Sequence, residues 1–279
     1  MSSDFGKLLD LSRPRVMGIL NVTPDSFSDG GRFLTLDDAL HQAERMIDEG
    51  ADLLDIGGES TRPGAQAVSL AEEMDRVLPV VERLVASFDT PVSVDTSKPD
   101  LMRAAIAAGA GMINDVSALQ APGAIAAVAS GRVPVCLMHM QGEPRTMQAA
   151  PQYDDVVADI IEYLSNRIAA CEAGGISRDR LLVDPGFGFG KTVEHNLQLL
   201  RGLEAFRTLG VPVLVGISRK SMLGAITGRP VEERMPASVA AALIAVERGA
   251  RIVRVHDVAA TVDAIAVWQA TMDGSVDKN

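Results

Sequence analysis

The chain has few aromatic residues, only two cysteines, no surplus of positive charge and no long uninterrupted hydrophobic run. Aromatics make up 4% of its 279 residues, against 47% for apolar residues as a whole, so the core has to be aliphatic. A chain of that length and apolar content can bury a sizeable core, which excludes a mainly disordered protein. The formal charge is −11, from 26 Lys and Arg against 37 Asp and Glu. Non-specific binding to nucleic acid or to an anionic membrane needs a basic face and is excluded as a function class. A few local Arg and Lys can still make an anion site for a small molecule. No apolar stretch reaches the ~18 residues that a membrane span requires, and no basic-then-apolar leader opens the chain. The expectation is a soluble, cytoplasmic protein. Cys136 lies in a strand-like run and Cys171 in a helical one, and both are expected to be buried free thiols.

What is present is a repeated design. The apolar run Val16 to Leu20 fits a strand buried on both faces. It turns polar at Asn21 and continues through Pro24, Asp25, Ser26, Asp29 and Gly30 as a loop long enough to suggest a functional role. A helix with Leu36, Leu40, Ala43 and Ile47 at helical spacing follows, and Gly50 stops it. The short strand Asp52–Gly57 then leads into a second polar loop. Ser69 with Glu72 three residues on is a capping box for a helix that has Pro79 inside it, where a kink is expected. Val92–Val94 ends on Asp95, and Ser97 is the expected cap of the next helix, with Pro99 in its first turn. Further runs reach Asn114, His139, Asp184, Ser218 and His256. A helix carrying Leu197, Leu200, Leu203 and Phe206 follows Asp184.

Eight β-rich runs, each followed by a helical pattern, mean a parallel sheet. An open doubly wound sheet is one solution. Eight units in a chain of this length match an α/β single (β/α)8 TIM barrel, with the active site at the C-terminal ends of the strands. No linker or composition shift divides the chain. It is read as one domain over 1–279, with 1–15 as an N-terminal cover and 273–279 as a tail.

The strand ends, in order, are Asn21, Asp55, Asp95, Asn114, His139, Asp184, Ser218 and His256. Strands commonly end in Asn or Asp because those residues favour turns and helix starts, but a barrel would bring all eight to one rim. Asp95, Asn114 and Asp184 together offer two carboxylates and an amide to a ring that presents NH2 and NH side by side. Their ordinary alternative is internal pairing with Lys220 or backbone N–H groups. Arg62, Lys220, Arg254 and His256 lie just beyond strand ends, which favours an anion site over a solvated basic surface. The turn at Ser218–Ser221 opens a helix whose free N–H groups favour an anion. Asn21 could add an oxygen to Mg2+ bridging phosphates. Two other patterns carry no function: Gly186–Thr192 misses P-loop spacing because Pro185 stands where glycine is needed, and no zinc-ligand spacing is present.

Several long motifs resemble dihydropteroate synthase, a family of pterin-binding TIM barrels. These are Asn21–Gly30, Gly57–Gly64, Asp184–Phe189, Ser218–Ser221 and Arg254–Asp257, in the right order and spanning the chain from about Val16 to the last helix. The resemblance implies condensation of 6-hydroxymethyl-7,8-dihydropterin diphosphate with p-aminobenzoate, giving 7,8-dihydropteroate and pyrophosphate through a dissociative pterin cation. It implies that Asp95, Asn114, Asp184 and Lys220 hold the pterin. Thr61, Arg62, Asn21, Arg254 and His256 would hold the diphosphate with Mg2+ as cofactor. Phe27, Pro63, Phe189, Lys220 and Ser221 would surround p-aminobenzoate, where sulfonamides compete. Arg62, Lys220, Arg254 and His256 are the implied catalytic residues, loops 21–35 and 57–68 would close over the site, and the family is typically homodimeric. A methyltransferase acting on a reduced folate would share the acidic pterin site without the cationic clamp. A non-catalytic pterin-binding protein would have lost Arg62, Lys220 or His256, and all three are present.

Overall fold

Strand–helix alternation leaves the sheet a choice between an open twist and closure, and here it closes. The computed structural model describes residues 11–23, 36–60, 65–143 and 146–274. Eight parallel strands follow one another around the barrel in chain order: β1 (Arg15–Asn21), β2 (Leu53–Gly57), β3 (Val92–Asp95), β4 (Met112–Asp115), β5 (Val135–Met138), β6 (Leu181–Asp184), β7 (Val213–Val215) and β8 (Ala250–Val255). β8 pairs back onto β1, with Val16 opposite Val253. The described helices are α1 (Leu36–Asp48), α2 (Leu70–Ser87), α3 (Pro99–Ala107), α4 (Ala124–Gly131), α5 (Val156–Ala173), α6 (Val193–Arg201), α7 (Ser221–Thr227), α8 (Met235–Glu247) and α9 (Val258–Asp273). None of them is long and apolar enough to cross a membrane.

Local sequence explains most of the boundaries. Both halves of the Ser69–Glu72 capping box form at the start of α2, and the helix continues through Pro79 as one element. Pro99 occupies the first turn of α3, as expected, but the residue before the helix is Lys98, which makes no side-chain cap. Ser97 turns its hydroxyl to the buried Asp115 instead. A carboxylate is the stronger acceptor, and Pro99 has already removed one of the helix-start donors that a cap would serve. The helix expected over Leu197–Phe206 is two elements, because Gly202 ends α6 and Leu203–Leu209 continues as a 3-10 turn. Leu200, Leu203 and Phe206 are buried, whereas Leu197 is 41% exposed.

Side chains alternate between the two faces of each strand. The outward set packs against the helices in one large aliphatic core. The inward set at the lower end of the barrel forms a separate cluster of Met17, Leu53, Met112, Cys136, Leu182, Leu214 and Ile252, with Leu11 packed against it. Cys136 and Cys171 are both buried free thiols, and burial raises both thiol pKa values, so neither is a reactive thiolate. The lower cluster closes the barrel as packed core. Leu182→Ala opens a hole there that strands hydrogen-bonded on both sides cannot collapse to fill. Unfolding in denaturant is expected to show a loss of about 2–5 kcal/mol.

Candidate active site

The same alternation that makes the lower cluster apolar makes the layer above it polar. Two residues beyond Leu53, Met112, Leu182 and Ile252 stand Asp55, Asn114, Asp184 and Arg254. Asn114 Nδ2 donates to Asp55 Oδ2 at 3.0 Å. Arg254 Nε donates to the same Asp55 oxygen at 2.5 Å, and its Nη2 reaches Asp95 Oδ2 at 3.1 Å. Asp55, read from the sequence as a strand end, lies mid-strand in β2 and is fully buried. It anchors the cluster from below, and its polar side chain two residues after inward-facing Leu53 was the available sign. The ring is therefore layered: Asn21 and Asp95 end β1 and β3, above Asp55, Asn114 and Arg254.

Charge is unevenly shared. Burial lifts the Asp184 pKa, with Lys220 and the Gly186 N–H pulling the other way. Burial likewise pushes Asp95 up to about 7; Arg254 opposes this, while Asp55 and Asp115 reinforce it. Burial works against the Arg254 charge, but Asp55 and Asp95 outweigh it and hold the guanidinium above its ordinary value. Lys220 is lowered to about 8 by burial, partly offset by Asp184. Arg254 thus stands among the acids, its guanidinium paired with both Asp55 and Asp95.

Lys220 precedes α7 and donates to the Phe187 carbonyl, with its ammonium 4.3 Å from the centre of the Phe189 ring. Ser221 begins that helix and is exposed. The Gly-Phe alternation after β6 is a conformational requirement, since Gly186, Gly188 and Gly190 all have positive φ. A Cβ on Gly186 would stand 1.9 Å from the His139 carbonyl oxygen. His256 Nδ1 and Ser218 Oγ lie 3.0 Å apart, which joins the ends of β7 and β8. His139 is buried beside Lys191, with the Tyr163 ring edge-on at 4.8 Å, so it belongs to the packing behind the loop. Burial and Lys191 lower its pKa to about 3, which keeps the imidazole neutral.

A cleft of about 230 Å3 opens beside Asp95, lined among others by Glu59, Ser60, Thr96, Ser117 and Met140. Lys98 bridges Glu59 and buried Glu73 at its edge. Phe27, Thr61, Arg62 and Pro63 lie outside the described residues, as do Asp25, Asp29 and most of the first loop. Among the described residues, no cluster of three or more His, Cys, Asp or Glu could hold a metal ion. Asn21 Oδ1 and Asp95 Oδ2 stand 3.6 and 3.9 Å from the point where a Cβ on Gly57 would be, so glycine leaves an oxygen-lined space at the rim. Carboxylates, an amide, an ammonium and a guanidinium in one partly desolvated mouth can bind a planar nitrogen-rich ring and an anion side by side.

Residues 17–256 match the model of the pterin-binding enzyme family. A dihydropteroate synthase of Haemophilus influenzae is 56% identical over 265 residues, covering 95% of this chain and 96% of its own. The dihydropteroate synthase of Yersinia pestis, solved as a sulfonamide drug complex, superposes with a TM-score of 0.92 at 55% identity, covering 95% and 96% of the two chains. That of Xanthomonas albilineans, solved with 4-aminobenzoic acid, superposes at 0.89 with 61% identity, covering 94% of each.

The position of Asp95 carries a pH signature. In the native state it keeps a proton that the unfolded chain releases, so stability falls as pH rises from about 4 to about 7. Asp95→Asn removes that titration while keeping shape. Thermal melts between these limits are expected to show a shallower fall for the variant than for the wild type. Parallel slopes would put the Asp95 pKa at its ordinary value.

Proposed function

The chain belongs to the dihydropteroate synthase family of pterin-binding enzymes, and from that membership we propose how its strand ends divide the work. The enzyme is a transferase of folate biosynthesis. It condenses 6-hydroxymethyl-7,8-dihydropterin diphosphate with p-aminobenzoate, giving 7,8-dihydropteroate and pyrophosphate. An enzyme of this family is a sulfonamide target.

The observation that carries the assignment of roles is the convergence of Asp95, Asn114 and Asp184 with Lys220 and Arg254 in the upper barrel. Asp184 and Asp95 accept from the amino and ring N–H groups of the pterin, and Asn114 answers its mixed donor and acceptor edge. Lys220 lies between the pterin and p-aminobenzoate, with Phe189 and Ser221 beside the latter and Phe27 and Pro63 completing its walls. Thr61, Arg62 and His256 take the diphosphate. Arg254 reaches it from the acidic cluster, where Asp55 and Asp95 keep its charge and direction.

The oxygen-lined space at Gly57 fits Mg2+, which accepts few protein ligands and takes the rest from phosphate and water. Asn21 would hold it. The ion, when bound, supplies positive charge that stabilises departing pyrophosphate. The protein groups do the remainder. Arg62, Arg254 and His256 stabilise the oxygen charge that develops as the methylene C–O bond breaks. The electron pair leaves with pyrophosphate, and the ring nitrogens delocalise the positive charge left on the methylene. Asp95 and Asp184 stabilise that cation from the ring side. The p-aminobenzoate nitrogen then forms the new C–N bond and loses its proton to water or to pyrophosphate, and the acidity of an anilinium makes a dedicated base unnecessary.

The site is cytoplasmic in this reading, where its folate-pathway substrates are made. The enzyme works as a homodimer in this reading. Mixing the pterin diphosphate, p-aminobenzoate and Mg2+ with the enzyme is expected to release pyrophosphate, and a chelator is expected to suppress the release. Folded protein that releases none would refute the assignment. Asp184→Asn is expected to weaken pterin binding about 10- to 100-fold in calorimetry, since a buried carboxylate acceptor is lost. Unchanged affinity would place the pterin elsewhere.

A further inference from the structure

The roles proposed above leave one buried lysine unused. Lys191 is 3% exposed. Its Nζ lies 2.9 Å from His139 Nδ1 and 2.9 Å from the Phe189 carbonyl oxygen, with the His139 carbonyl at 3.5 Å. The Tyr153 ring centre is 6.0 Å away. Among the described residues its partners are carbonyls and an imidazole, not a carboxylate. A lysine desolvated this far costs stability unless its position serves something else.

Lys191 lies on the segment between β6 and α6 and ties it to His139 just beyond the end of β5. Phe189 lies on that segment, and so does Phe187, whose carbonyl receives Lys220. Tyr153 adds a second tie, donating its hydroxyl to the Gly190 carbonyl at 2.8 Å. The segment is also pressed against its neighbour, since a Cβ on Gly190 would stand 2.4 Å from the Gln141 carbonyl oxygen. His139 joins the same system through its backbone, its N–H donating to the Asp184 carbonyl oxygen at 3.0 Å. We infer that Lys191, seated on His139, is a positioning residue that sets the Phe189 ring at the p-aminobenzoate side of the site.

The inference rests on the placement of Phe189 beside p-aminobenzoate. Its consequence is selective. The pterin is held chiefly by side chains on β3, β4 and β6, whereas p-aminobenzoate meets the segment that Lys191 ties down. Lys191→Met removes the polar head and keeps most of the volume. It is expected to raise KM for p-aminobenzoate about tenfold, the loss of one buried hydrogen-bonding group, and to leave KM for the pterin diphosphate within about twofold. Tyr153→Phe removes only the hydroxyl at Gly190 and is expected to shift the same KM in the same direction by a smaller factor; it decides the matter if Lys191→Met does not fold. Parallel rises in both KM values, or no rise in either, would overturn the inference. Phe189→Ala separates the two levels. A p-aminobenzoate-selective loss there with none at Lys191→Met or Tyr153→Phe overturns only the positioning role. No selective loss in any of the three overturns the placement of Phe189 as well.

Discussion

Asp55, Asp95 and Asp184 all enter the upper barrel, and Arg254 is the cation that hydrogen-bonds into their midst. The remainder of the mouth follows from that imbalance. With the guanidinium shared between Asp55 and Asp95, Asp184 is left to the Gly186 N–H and the field of Lys220, and burial keeps its proton affinity high. A mouth with surplus acid and fixed donors is organised for a ligand that brings its own N–H groups. The cluster would be costly to maintain in an empty core, since breaking one partner of a buried pair leaves the other uncompensated.

The layering of the barrel explains how such a polar site coexists with a stable fold. The lowest inward layer is apolar and packed, and polarity begins one step up, where the strands approach the rim. Stability and chemistry are therefore assigned to different residues of the same strands: Leu53 and Asp55 on β2, Leu182 and Asp184 on β6, Ile252 and Arg254 on β8. The segment after β6 extends the division of labour, with glycines at positive φ allowing close approach and Lys191 and Tyr153 holding what the glycines leave free.

Much of this is legible in the sequence. Strand–helix alternation gave the count of eight units, and the polar residue at each strand end gave the candidates. These are local signals, carried by neighbouring residues through period and turn chemistry. Where the reading slipped, a competing tertiary contact won. Ser97 left its helix for the buried carboxylate of Asp115, and Asp55 lay below the rim rather than on it.

By itself, then, the sequence determined the alternating units, the aliphatic core and the chemical type of each strand end, because each depends on residues a few positions apart. Only the closed tertiary structure decided which of those groups touch. Arg254 and Asp55 are 199 residues apart in the chain, and no periodicity or motif relates them. Ring closure sets their register, and desolvation in the ring decides how much charge each one keeps.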